Sequence, residues 1–265
     1  VHFILHVPKC AGTTVEAHFE RELGRGFLRA PRWESPLRNV IGNRYDYAEG
    51  DARLAGVRVV SGHSLSVSLR RHFPGCRIEE SVLLRDPLGY FLSFYNYRWT
   101  RHRAGFEPRP PGFALWYAAQ RRNPISRFLL NRYFEQGVPA LYRLSSAGRL
   151  EWLEARLSRF LFVGGVAHAD EMIAGISRTL GVSESVARRN VTGPARLPRA
   201  EVPERLAARI LADNALDAAL FRRWRERGWR ETAGAREAAT GQARFDHLRY
   251  AAGDALSGLA KKLIR

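Results

Sequence analysis

The chain has 265 residues, 45% hydrophobic and 11% aromatic, a composition that suits a globular domain with a sizeable core and argues against disorder. Its formal net charge of +17 favours acidic ligands such as nucleotides, acidic glycans, nucleic acid or anionic membrane surfaces. Only Lys9, Lys261 and Lys262 among the 43 basic residues are lysines, so an arginine-rich composition accounts for part of the excess.

Two cysteines, Cys10 and Cys76, are too few for a disulfide framework and predict free thiols in a reducing, cytoplasmic setting. The sequence contains no run of about 18 apolar residues that would predict a membrane span. No charged segment followed by an apolar stretch opens it, so no signal peptide is expected.

The elements follow in chain order. VHFILHV (1–7) is a short apolar run ending at a turn and reads as a buried strand. VEAHFERELG (15–24) reads as a helix closed by Gly24, with Thr13 or Thr14 as its N-cap. Residues 25–56 are rich in Arg, Pro and Gly and look irregular, with Tyr45-Asp46-Tyr47 in the middle. VRVVSGH (57–63) and ESVLLRD (80–86) read as the second and third strands. Pro87 suits the first turn of a helix over 88–103. Residues 104–135 read as helical in pieces, and RFLFVGG (159–165) as a fourth strand. A helix over 169–181 closes at Gly181, a polar loop covers 188–198, and 202–227 is helical with Leu206, Ile210, Leu211, Leu216 and Leu220 on its apolar face.

Strands alternating with helices predict a parallel sheet with right-handed crossovers. Ligands of such sheets sit at the carboxyl ends of the strands. Three informative stretches fall there: 8–14, 61–63 and 85–93. Residues 1–232 read as one α/β domain and 233–265 as a helical appendage with a basic end. That appendage has three readings: packing on the domain, pairing two copies into a homo-oligomer, or lying on a membrane surface.

HVPKCAGTTV (6–15) places Lys9 beside a small-residue turn that opens a helix. Backbone N–H groups and a helix N-terminus there would hold an anion. The ATP and GTP phosphate loop, G-x-x-x-x-G-K-[ST], is not matched: Lys9 precedes the glycine and the first glycine is missing.

The order Pro-Lys-x-x-Gly-Thr-Thr instead resembles the 5′-phosphosulfate loop of sulfotransferases that use 3′-phosphoadenosine 5′-phosphosulfate (PAPS). LLRDPLGYFLSFYNY (83–97) resembles the 3′-phosphate motif of the same family, an arginine at a strand end with a serine eight residues on, here Arg85 and Ser93. SGHSLSV (61–67) resembles the Gly-His turn of the heparan and dermatan 2-O-sulfotransferase branch. That branch often carries His-Gly-His, whereas this chain has Ser61-Gly62-His63. The late strand, helix, RRNVTGPAR loop and last helix also follow the family, so the resemblance spans about residues 1–227.

The resemblance implies a P-loop-NTPase-like three-layer fold, a central parallel sheet flanked by helices. It implies PAPS as sulfuryl donor with no metal required. Lys9 and residues Cys10, Ala11, Gly12, Thr13 and Thr14 would hold the 5′-phosphosulfate. Arg85 and Ser93 would hold the 3′-phosphate, and a loop bearing Asn190, Thr192 and Arg196 would close over the nucleotide. His63 would be the general base. It further implies a carbohydrate or glycolipid acceptor.

Residues 98–132 carry eight arginines (98, 101, 103, 109, 121, 122, 127 and 132) and one acid, Glu107, interleaved with Phe106, Phe113, Trp116 and Tyr117. They read either as a groove for an acidic acceptor or as a solvated helical face with core aromatics. His2 and His6 share one strand face and read as structural. No helix-turn-helix, zinc-finger or RNA-binding signature occurs, so no specific nucleic acid is expected. Two alternatives remain open: a nucleotide-dependent phosphotransferase, and a non-catalytic polyanion-binding module.

Overall fold

In a computed structural model the described residues are 1–32, 44–48, 50–135, 144–186, 197–226 and 228–229. Asn190, Thr192, Arg196 and the appendage 233–265 lie outside them.

Five short strands, β1 (His2–Leu5), β2 (Phe27–Arg29), β3 (Val59–Gly62), β4 (Glu79–Leu84) and β5 (Phe162–Gly165), form one sheet in the order β2-β3-β1-β4-β5. Every pairing is parallel. From β1 the chain goes to the edge strand β2, returns to β3 beside β1, then crosses to β4 and β5 on the other side. That reversal is a topological switch point, where such sheets open a crevice beyond their carboxyl ends.

The helices are α1 (Gly12–Leu23), α2 (Pro87–Arg103), α3 (Phe113–Ala118), α4 (Pro124–Arg127), α5 (Ser146–Leu157), α6 (Ala169–Leu180), α7 (Glu204–Asp213) and α8 (Ala215–Trp224). α1 packs with α6, while α2 packs with α3 and α7, and α8 with α4 and α5. The expected three-layer α/β class, a central parallel sheet flanked by helices, is therefore the class found. Strands buried on both faces need apolar side chains throughout, and Phe3, Val59, Val60, Val82 and Phe162 are fully enclosed. Each such side chain contributes about 1.5–3 kcal/mol of burial. His18 on α1 bonds Ser177 on α6 at 2.9 Å, a buried polar clip between these helices.

Local sequence logic explains most boundaries. Asp86 caps α2 by accepting from the Gly89 N–H at 2.9 Å, and Pro87 fills the first helical position. Gly181 closes α6 at φ 63, a left-handed end that glycine adopts freely.

Four features differ from the sequence reading. α1 begins at Gly12, so Thr13 and Thr14 lie inside it, and its cap is Ala11 at φ 63 with no side-chain cap bond. The loop geometry, not a hydroxyl, starts this helix. β2 is an edge strand inside the segment read as irregular, too short for a periodic signal. α5 falls in a segment that drew no reading, although Ser145 caps it through the Gly148 N–H. The stretch 202–227 is two helices broken at Asn214. The Asn214 amide donates to the Ile210 carbonyl and the Tyr117 hydroxyl, and its oxygen accepts from the Asn123 N–H.

After α8 the chain returns along the sheet edge, where Trp229 bridges Phe162 in antiparallel fashion. A Cβ on Gly175 would come within 2.0 Å of the Trp229 ring, so only glycine lets that indole seat on α6. Among the described residues, no helix is long and apolar enough to cross a membrane.

Candidate anion site and base

The carboxyl ends of β3, β1 and β4 lie side by side, so the three predicted stretches converge. Between β1 and α1 the loop 6–11 carries two non-glycine residues with left-handed backbone, Lys9 at φ 64 and Ala11 at φ 63. Such residues cost about 1–3 kcal/mol each and persist where surroundings over-determine them. Alternation of left- and right-handed residues turns successive N–H groups into a concave anion cradle.

Within the cradle, the Cys10 N–H donates to the Val7 carbonyl at 3.1 Å and the Thr14 N–H to the Ala11 carbonyl at 3.0 Å. Those amides hold the loop together. The N–H groups of Lys9, Ala11, Gly12 and Thr13 donate to no other described group, and so are the donors left for an anion. The Cys10 side chain is buried, and burial pushes its thiol far above the usual range. It packs in the core.

Arg85, one residue past β4, donates from Nη1 to the Lys9 carbonyl at 2.8 Å. This clip ties the β4 end to the β1 loop. The Arg85 Nε lies 3.3 Å from where a Gly89 Cβ would stand, so the guanidinium rests on the first turn of α2; the closer neighbour of that point is Asp86 Oδ2, at 2.5 Å. Residues four apart share a helix face, so Gly89, Ser93 and Tyr97 form one stripe along α2. Lys9 Nζ sits over the Tyr97 ring, 3.5 Å from its centroid. Ser93 is therefore bracketed on one stripe by Arg85 at Gly89 and Lys9 at Tyr97. Burial, with the Arg85 charge adding to it, lowers the Lys9 pKa to about 8.

His63 follows Gly62, the last residue of β3, whose φ of 140 suits glycine and whose missing Cβ admits the backbone of Ala30. The register pairs Leu5 with Gly62. Continuing it one step sets His6 beside His63, and the two rings lie against each other, tilted by 39° with centroids 3.8 Å apart. His63 Nδ1 lies 2.9 Å from the His6 carbonyl. A carbonyl only accepts, so Nδ1 carries the hydrogen and Nε2 keeps its lone pair. Desolvation of the ring, helped by the neighbouring His6, lowers the His63 pKa below 6.5. The ring is then neutral at pH 7 and its free nitrogen can accept a proton.

Beneath it, His6 Nδ1 meets Glu16 Oε1 at 2.6 Å, with both residues buried. Ser61 Oγ donates to the same oxygen at 3.2 Å, and Arg29 lies 3.5 Å from the other. Burial alone would raise the Glu16 pKa; the hydrogen bond from His6 and the nearby Arg29 outweigh it and leave it lowered. A Cβ on Gly12 would stand 1.9 Å from the His6 ring, so the imidazole requires glycine at the start of α1. Tyr45 secures the other side of the base turn: its hydroxyl donates to the Ser64 carbonyl at 2.5 Å and accepts from the Ser66 N–H at 2.7 Å.

The structure thus brings Lys9, Gly12, Thr13, Arg85 and Ser93 together and sets His63 one strand away. Sequence reasoning missed Tyr97, whose signal was its spacing of four from Ser93. Glu16 drew no reading and His6 reads as structural; the β1–β3 register brings His6 beside His63, and α1 brings Glu16 to His6. Asn96 is a further omission: its side-chain amide exchanges two hydrogen bonds with the Leu197 backbone, at 2.9 and 3.1 Å. Arg199 then pairs with Asp86 at 2.8 Å. Together they fasten the segment after the predicted nucleotide loop onto α2.

Across α2 from Ser93, Tyr95 and Trp99 join Arg109, Phe113, Leu197 and Glu201 around a cavity of about 730 Å³. Phe113, Trp116 and Tyr117 are buried core aromatics, while Phe106 is exposed beneath the Arg101 guanidinium. Arg98 and Arg101 pair with Glu107, and Arg122 with Asp213.

Unpaired loop N–H groups at the switch point of a parallel sheet, with a neutral imidazole one strand away, make a candidate site for an anion beside a candidate base. No protein-family model matches the chain, and comparison with curated proteins gives no match. Among solved structures, it is similar to a sulfotransferase from Alicyclobacillus acidocaldarius at 14% identity and a TM-score of 0.44. The likeness covers 83% of this chain and 95% of that one.

Proposed function

We propose that the chain is a sulfotransferase that moves the sulfuryl group of PAPS to a hydroxyl of a carbohydrate or glycolipid acceptor, in the manner of the 2-O-sulfotransferase branch. The observation that carries this reading is the bracketing of Ser93 between Arg85 and Lys9 on one stripe of α2. It offers separate binding groups for two anions: the loop amides and Lys9 for the 5′-phosphosulfate, Arg85 and Ser93 for the 3′-phosphate. A nucleoside di- or triphosphate has no second anion of that kind.

The reaction is an in-line displacement. The acceptor oxygen forms a bond to sulfur as the bond from sulfur to the 5′-phosphate oxygen breaks. The hydroxyl proton passes to His63 Nε2. The bond pair stays on the phosphate oxygen, where Lys9 and the N–H groups of Ala11, Gly12 and Thr13 meet the growing charge, a preorganised electrostatic effect. Arg85 can fork two N–H bonds onto the 3′-phosphate while keeping its clip on Lys9. Asn190, Thr192 and Arg196 belong to the proposed nucleotide loop. Its C-terminal flank is fastened to α2 by Asn96.

For the acceptor, the cavity beside Tyr95 and Trp99 offers aromatic faces and the Arg109 guanidinium. It suits a sugar unit remote from the reacting hydroxyl, whose binding energy would help orient the acceptor. The test is transfer of label from [35S]PAPS to a panel of neutral and uronic-acid oligosaccharides and glycolipids in the presence of EDTA. Labelled product is expected without metal. Labelling from [γ-32P]ATP only with Mg²⁺ would support the phosphotransferase instead.

A further inference from the structure

We propose that Glu16 and His6 are positioning residues that fix His63 in the form with a free Nε2, so that the loop binding the anion also sets the state of the base. The inference deepens the sulfotransferase reading and rests on it for its kinetic consequence alone.

The chain of contacts is continuous. Glu16 projects from the second turn of α1, whose first residue is Gly12. Its Oε1 accepts from His6 Nδ1 at 2.6 Å, which fixes that ring's rotation and tautomer. The held ring fills the space left by the absent Gly12 side chain and supports the His63 ring 3.8 Å away. The His6 carbonyl then takes the His63 Nδ1 hydrogen at 2.9 Å. One residue thus supplies both a platform and a tautomer-setting acceptor. A carboxylate that orients an imidazole, which in turn governs reactivity, is a recurrent arrangement, and loss of such support commonly costs 10–100-fold.

Competing roles for Glu16 are weaker. Arg29 lies 3.5 Å from Oε2 but is largely exposed, and an exposed arginine gives little ion-pair energy. Ser61 donates to Oε1 at 3.2 Å, a longer bond than that of His6. At the position where the resembled branch often carries a second histidine, Ser61 supports the same carboxylate. The second imidazole comes instead from the neighbouring strand end, as His6.

The experiment compares Glu16→Ala, Glu16→Gln and His6→Phe with the unmodified protein, with folding checked by circular dichroism. Histidine side-chain 15N shifts, assigned through His63→Gln, read the His63 tautomer at pH 7.5. Turnover is read separately with PAPS, and affinity for 3′-phosphoadenosine 5′-phosphate by calorimetry. The proposal expects the Nδ1-protonated form to dominate in the unmodified protein and to give way to a mixture in Glu16→Ala. Turnover should drop about 10–100-fold with nucleotide affinity within twofold. Glu16→Gln, which still accepts from His6, should recover most of both readouts. His6→Phe has a ring but no nitrogen for Glu16 to hold, so residue 6 and its carbonyl lose that anchor and the variant should resemble Glu16→Ala.

An unchanged His63 tautomer in folded Glu16→Ala and His6→Phe would overturn the proposal. The tautomer needs no substrate, so this result is separable from a failure of sulfuryl transfer, which would appear as no turnover in the unmodified protein.

Discussion

The two sides of α2 are built from different materials. On the side facing the β1 loop, Lys9, Arg85, Ser93 and Tyr97 are placed by strand ends, a helix stripe and a backbone clip between residues 76 apart in sequence. On the far side, arginines and aromatics surround the cavity or pair among themselves, with Arg98 and Arg101 sharing Glu107. The first arrangement demands particular residues at particular spacings. The second asks only for residue types, and part of its positive charge is paired locally. In the proposed function, the first side would recognise the fixed donor and the second would adapt to the acceptor.

The largest effects should come from breaking the first side. Lys9→Ala should lower turnover about 10³-fold, the upper range for removal of a preorganised charge-stabilising donor. His63→Ala should lower it about 10²–10⁴-fold while leaving affinity for 3′-phosphoadenosine 5′-phosphate within twofold. Single-turnover kinetics alongside calorimetry separate the two. Near-normal turnover in His63→Ala would remove the base assignment.

Acidity should sharpen the same contrast. His63 must be neutral to accept a proton, so activity should rise with pH through its lowered pKa, below 6.5. Lys9 must be charged, and its pKa is lowered to about 8, so donor binding should weaken as pH rises through that value. A bound anion favours the charged amine, so the fall in turnover at saturating donor should sit at higher pH than the fall in kcat/KM. A pH profile with no alkaline limb would show that Lys9 does not titrate in the free protein.

The far side should respond more gently. Arg109→Ala should raise KM for an acidic acceptor about tenfold, the scale of one hydrogen bond to a charged group, with nucleotide affinity unchanged. Cys10→Ala should cost some stability through its buried side chain yet keep most activity, since the thiol is held protonated in the core. Loss of all activity there, with normal thermal unfolding, would point to thiol chemistry.

The legibility of these regions follows from their physics. β1, β3, β4 and β5 are apolar runs closed by turns, and α2 is announced by Asp86-Pro87, so local pattern sufficed. Lys9, Arg85 and His63 lie at strand ends, where topology brings distant segments together, so their convergence followed from strand order. β2, with three residues, carries no period. The contacts of His6 and Glu16 depend on strand register and on the empty side of Gly12, which no single-residue signal encodes. The aromatics of 98–132 could be read as groove or core, and packing decided for Phe113, Trp116 and Tyr117.

The most direct measurement is calorimetric binding of 3′-phosphoadenosine 5′-phosphate against adenosine diphosphate, both in EDTA. If Arg85 and Ser93 read a 3′-phosphate while Lys9 and the loop hold the 5′-phosphate, the first should bind at least a hundredfold more tightly, about 2.7 kcal/mol, and Arg85→Ala should remove most of the difference. Equal binding, or binding that appears only with Mg²⁺, would contradict sulfuryl transfer from PAPS and favour a phosphotransferase.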